Sequence, residues 1–133
     1  MDIKKLLLGT LVGTITSFIV AFLIFGVALK DYMAENASAI DPPRFQWLIL
    51  AHIIFALLTT IIFLKWAGIK TAASGAKAGF LIGILVALGS NFIWLGTSDL
   101  FTGGLTTAIL DAVGGSLIWA AGGAGVGWIL GRD

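Results

Sequence analysis

Four long apolar runs, separated by short segments that hold nearly every charge, leave this chain one class of fold. The runs cover roughly residues 6–29, 45–67, 78–96 and 105–130. A hydrocarbon core about 30 Å thick is crossed by about 20 apolar residues in helix, so each run is long enough to span a bilayer. The expected fold is therefore all-α, a four-transmembrane-helix bundle in one domain, with no room for a soluble module. Composition agrees: 59% of residues are apolar and 11% charged, and the mean hydropathy is +1.06, far outside the range of a soluble domain. The breaks between runs carry turn chemistry, with Lys30-Asp31 after the first, Asp41-Pro42-Pro43-Arg44 before the second, Ser74-Gly75 before the third and Thr102-Gly103-Gly104 before the fourth. The first run follows a lysine pair, as a secretory signal does, but it is longer than a signal's apolar region and reads as a span.

Charge sets the expected orientation. Lys4, Lys5, Lys65, Lys70, Lys77 and Arg132 fall on one side, and Lys30 and Arg44 on the other, together with Asp31, Glu35, Asp41 and Asp99. Basic residues accumulate on the cytoplasmic side, which predicts that both termini are cytoplasmic. Trp47 and Trp94 lie near the outer span ends and Trp66 and Trp128 near the inner ones, as an interfacial aromatic belt requires. Trp119 lies deep and stands outside that pattern.

Several function classes recede at this point. A net charge of +1 with no basic run gives nucleic acid nothing to bind. The absence of cysteine removes thiolate nucleophiles, disulfides and thiolate metal sites, and a lone histidine, His52, makes a transition-metal site unexpected. No cofactor is expected either: GGAGVG at residues 122–127 lacks the spacing of a dinucleotide loop and follows no strand. Ser90 and Ser116 are the hydroxyls nearest the polar residues of the spans, and neither belongs to a nucleophile motif, so a non-enzymatic protein is expected.

Small residues supply the next constraint. In lipid, helices gain little from burying apolar surface against one another, and close packing depends on side chains that let backbones approach. The first span offers Gly9, Gly13, Ser17 and Ala21 at four-residue spacing, and the third offers Gly75, Gly79, Gly83 and Ala87. The fourth carries two adjoining ridges, Gly104, Ala108, Ala112, Ser116, Ala120 and Ala124 beside Gly115, Gly123 and Gly127. The second span is bulkier, with a thin face of His52, Ala56, Thr59 and Thr60. These faces are expected to pack the bundle, and to meet either another copy of the chain or a membrane-protein partner.

Asp111 raises the functional question, because an unpaired carboxylate facing hydrocarbon costs about 2.5–3.5 kcal/mol even on insertion scales. It lies six residues into its span from Leu105, about 9 Å at about 1.5 Å per residue. His52 lies seven residues in from Phe45, and Asn91 six residues short of Thr97. Depth counting thus predicts one polar layer of His52, Asn91 and Asp111. Such a layer is either a hydrogen-bonded clamp that fixes helix register or a vestibule that binds a small ligand or passes protons. A through-path is not expected, since the other intramembrane polar groups are hydroxyls that can bond back to their own helices. The segment from Lys30 to Arg44 is either a lid over the outer mouth or an ordinary connection.

Lys65-Trp66-Ala67, Ser74-Gly75-Ala76-Lys77-Ala78-Gly79, Ala87-Leu88-Gly89, Leu95-Gly96-Thr97 and Leu110-Asp111 together give a pattern that resembles uncharacterised small four-span bacterial integral membrane proteins of the domain-of-unknown-function type. The resemblance covers most of the chain. It implies the four-helix topology and a bacterial inner membrane, and it brings no activity, ligand or site residue with it. The leading expectation is a polytopic accessory or interaction component; the alternative is a small channel, carrier or ligand-binding protein that uses the polar layer.

Overall fold

A computed structural model describes residues 1–133 as helices joined by short connections. Helix α1 runs Ile3–Leu23 and continues as a π-helical turn, Ile24–Ala28; the short α2 is Lys30–Asn36; α3 runs Phe45–Ile62 and continues as a second π turn, Phe63–Ala67; α4 is Ala72–Thr97 and α5 Leu105–Leu130. Four of these segments, Ile3–Ala28, Phe45–Ala67, Ala72–Thr97 and Leu105–Leu130, are long and apolar enough to cross a membrane.

Caps explain where the helices start, and correct two of the expected boundaries. Asp2 accepts the Lys5 backbone N–H at 3.2 Å, so α1 begins before the apolar run and carries Lys4 and Lys5 in its first turn. Thr71 accepts the Ser74 N–H at 3.1 Å, so α4 begins at Ala72 instead of at residue 78. Ser74-Gly75 belongs to the first turns of that helix and is not a break. The break is Gly68, whose φ of 61° is the left-handed geometry that ends a helix. Lys30-Asp31 likewise opens α2 after a single non-helical residue, Leu29.

The antiparallel spans bring the two termini to one end of the bundle, where Lys5 Nζ donates to the Leu130 carbonyl at 3.1 Å. Helix α5 is the central element: eleven of its residues are buried, against three in α1, three in α3 and four in α4. It packs along α4 and α1, and α3 lies mainly on α1. The small residues decide this arrangement. A methyl group at Gly75 would strike the Gly123 carbonyl, one at Gly79 the Trp119 carbonyl, and one at Gly127 the Thr71 carbonyl, so α4 and α5 meet backbone to backbone. On the other side, a Cβ at Gly13 would lie 2.7 Å from Val126 Cγ2 and 3.2 Å from Ala56 Cβ, which places Gly13 where α1, α3 and α5 converge. Gly9 faces Thr60, Gly83 faces Trp119 and Gly115 faces Ala87. Gly9, Gly13, Gly79, Gly83, Gly123 and Gly127 are buried and Gly115 partly so, all against the chain's own helices. Phe63, Val126 and Leu130 form an apolar plug near the termini.

At the far end, α2 docks on the connection between α4 and α5. Ser38 N–H donates to the Leu100 carbonyl at 2.8 Å and Gly103 N–H to the Asn36 carbonyl at 2.9 Å, with Met33 and Phe101 buried. Tyr32 Oη and Thr107 Oγ1, 3.1 Å apart, tie this cap to the first turn of α5.

Candidate functional site

Asn91 continues the Gly79, Gly83, Ala87 ridge by one more four-residue step, and that face of α4 is pressed against α5. Its amide nitrogen donates twice, to Asp111 Oδ2 at 2.8 Å and to the Ala108 carbonyl at 2.9 Å. Both amide protons are thereby used. Asn91 is only 5% exposed, whereas Asp111 remains partly exposed. The acid within the span is thus met by a partner on the neighbouring helix, close to the end that α2 covers.

His52 does not join this pair. Its Nδ1 lies 2.9 Å from Ser17 Oγ on α1, and Phe18 meets the imidazole edge-on with ring centroids 5.4 Å apart. Ser17 in turn sits beside Gly122, where an added Cβ would come 3.2 Å from Ser17 Cβ. Gly122 and Asp111 are eleven residues apart on α5, about 16 Å at about 1.5 Å per residue. His52 is therefore about three turns closer to the termini than Asp111, near the middle of α1, and the expected layer of His52, Asn91 and Asp111 divides into two pairs at different depths. The expectation failed because it counted depth from the first residue of each span, which assumes that spans start level. The contacts Gly9 to Thr60, Gly13 to Ala56 and Ser17 to His52 instead fix α3 against α1, and they set Phe45 well below the start of α5.

Ser17 is the site residue that depth counting overlooked. A signal for it existed: it is the hydroxyl on the Gly9, Gly13 ridge and lies near the midpoint of its span, as His52 lies within its own. Tyr32 and Thr107 left no such signal, because their meeting depends on α2 folding back across a connection that is distant in sequence.

The remaining hydroxyls do not extend either pair into a path. Thr10, Thr14, Thr16, Thr59, Thr60 and Ser116 each donate to a carbonyl three or four residues earlier in the same helix. No buried side-chain nitrogen or oxygen lacks a hydrogen-bond partner. Trp119 finds its place between Phe55 of α3, at 5.2 Å between ring centroids, and Gly83 of α4, so its depth is a matter of packing. No three His, Asp or Glu side chains gather closely enough to hold a metal ion.

Chemically, the carboxylate-amide pair can hold two helices in register or offer its partly exposed oxygen atoms to a donor. The imidazole-hydroxyl pair can do the first of these for α1 and α3. Comparison with known protein families, with characterised proteins and with solved structures finds no match to this chain.

Proposed function

We propose that this chain is a non-enzymatic component of a bacterial inner membrane, with both termini cytoplasmic, that acts by associating laterally with other membrane helices, foremost those of a second copy. The observation that carries this reading is the far half of α3. Every residue from Asp41 to Leu50 is exposed, including Trp47 at 62%, while α1, α4 and α5 use their small residues to pack closely. Association in lipid rests on van der Waals packing and interhelical hydrogen bonds, and the stretch from Phe45 to Leu50, before His52 meets Ser17, makes no hydrogen bond to another helix of its own chain. The glycine faces are occupied internally, so the contact runs through bulky side chains, Leu50 and Ile54 among them. The cytoplasmic placement is supported by Lys4, Lys5, Lys65, Lys70, Lys77 and Arg132, which all belong to the termini end of the bundle.

The absence of cysteine allows a clean test. A single cysteine at Leu50 is expected to give a disulfide-linked dimer on mild oxidation in native membranes, and one at Leu81 of α4, also exposed, is expected to give none. Equal cross-linking at both positions, or none at either, would refute the reading.

A second reading rests on Asp111, whose carboxylate has a single hydrogen-bond donor and stays partly exposed beneath the α2 cap. It makes the Asn91–Asp111 pair the binding point of a small ligand or a proton. Liposomes containing the wild-type chain would then show a flux that Asp111→Asn abolishes; identical behaviour of the two, at the level of empty vesicles, would remove this reading.

A further inference from the structure

We propose that two adjoining basic clefts at the termini end seat the headgroup of an anionic phospholipid that carries two phosphates. The first cleft, of about 580 Å³, lies between the start of α4 and the end of α5 and is lined by Lys70, Thr71, Ala72, Trp128 and Arg132, with Asp133 at its edge. The second, of about 300 Å³, lies between the start of α1 and the end of α3 and is lined by Lys5, Phe63, Gly68, Lys70 and Leu130, with Asp2. Lys70 belongs to both, so the two are halves of one surface on which three cations, Lys5, Lys70 and Arg132, outnumber two carboxylates, Asp2 and Asp133.

Two of the three cations are held in place by groups that leave their charge available. Lys5 gives one of its ammonium protons to the Leu130 carbonyl and keeps two. Arg132 lies over the Trp128 ring, 4.6 Å from its centre, and stacking on a ring face leaves the in-plane N–H edge of the guanidinium free for phosphate oxygens. The acid in the second cleft, Asp2, accepts the Lys5 backbone N–H at the start of α1, where the positive end of the helix offsets part of its charge. Two cleft positions that share Lys70 offer a cationic contact to each phosphate of a two-phosphate headgroup, whereas a headgroup with one phosphate uses only one of them.

The location argues for a lipid over a soluble anion. Both clefts open where spans end, and Trp128 is half exposed beside the first, at the depth where interfacial tryptophans sit. Leu64 and Ile69, both half-buried, wall the second with apolar surface along which acyl chains can run. Basic pockets between helices at a membrane surface recognise such headgroups by charge.

Native mass spectrometry of the full chain, released from micelles containing equal amounts of diphosphatidylglycerol, phosphatidylglycerol and phosphatidylethanolamine, tests this directly. The diphosphate lipid is expected to dominate the bound species. Arg132→Gln, Lys70→Gln and Lys5→Gln are each expected to lower it about fivefold, the factor equivalent to about 1 kcal/mol per basic residue near an anionic surface. Lys65→Gln, at the same end but outside both clefts, is expected to leave it unchanged. Equal retention of the three lipids, an equal loss in Lys65→Gln, or displacement of the lipid by inorganic pyrophosphate at the same concentration would each overturn the proposal. Dimer formation through α3 is read by cross-linking at Leu50 and does not enter this measurement.

Discussion

At the scale of single residues, the chain separates glycines that permit contact from glycines that merely occur. Gly79 has no space for a methyl group because the Trp119 carbonyl occupies it, whereas Gly89, on the same helix, has no atom within 4 Å of the corresponding position. Gly79→Ala is expected to destabilise the fold by about 1–3 kcal/mol, the usual cost of overpacking, and Gly89→Ala to change it by less than about 0.5 kcal/mol. Reversible unfolding by denaturing detergent in mixed micelles measures both. The polar pairs make a sharper test. A double-mutant cycle between Asn91 and Asp111 is expected to give a coupling of about 0.6–1.7 kcal/mol, the range found for hydrogen bonds between helices in membranes. The cycle between His52 and Asp111 is expected to give none beyond about 0.3–0.5 kcal/mol, since sites more than about 10 Å apart behave additively. A coupling of equal size in both cycles would mean that the three residues do share a layer.

Among the elements, α2 is the one held by the fewest contacts. Its attachment consists of the Tyr32 to Thr107 hydrogen bond, the backbone bonds of Asn36 and Ser38 to the opposite connection, and the burial of Met33. Tyr32→Phe keeps the ring and removes the hydroxyl, at an expected cost of about 0.5–1.5 kcal/mol. Hydrogen exchange should accelerate over residues 30–38 in this variant and remain as it was in the middle of α4 and α5. Uniform acceleration would show that the cap and the spans open as one unit. The extent of the spans themselves was legible because apolar length is a local property: α3 and α5 lie where hydropathy placed them, at Phe45–Ala67 and Leu105–Leu130. The start of α4 was misread because Ser74-Gly75 has turn composition. With Thr71 capping the helix and Gly68 ending the previous one, those two small residues are free to be helical.

For the molecule as a whole, the orientation and the lateral contact are the properties open to experiment. A single cysteine replacing Asp133 should react with a membrane-impermeant maleimide only after the bilayer is opened, and one replacing Ile40 should react in intact cells. The opposite pattern would reverse the predicted topology.

Hydropathy and the four-residue spacing of glycines determined that this is a helical chain with four segments long and apolar enough to cross a membrane, and which face of each helix is thin. They are properties of one segment at a time. The vertical offset of α3 is of another kind, because it arises from Gly9, Gly13 and Ser17 meeting Thr60, Ala56 and His52, six residues on two helices whose fit exists only when both are present. A bilayer confines a helix to a range of depths but exerts little force within it, so the final position, and with it the partner of every polar side chain, is chosen by the closest packing of neighbouring backbones.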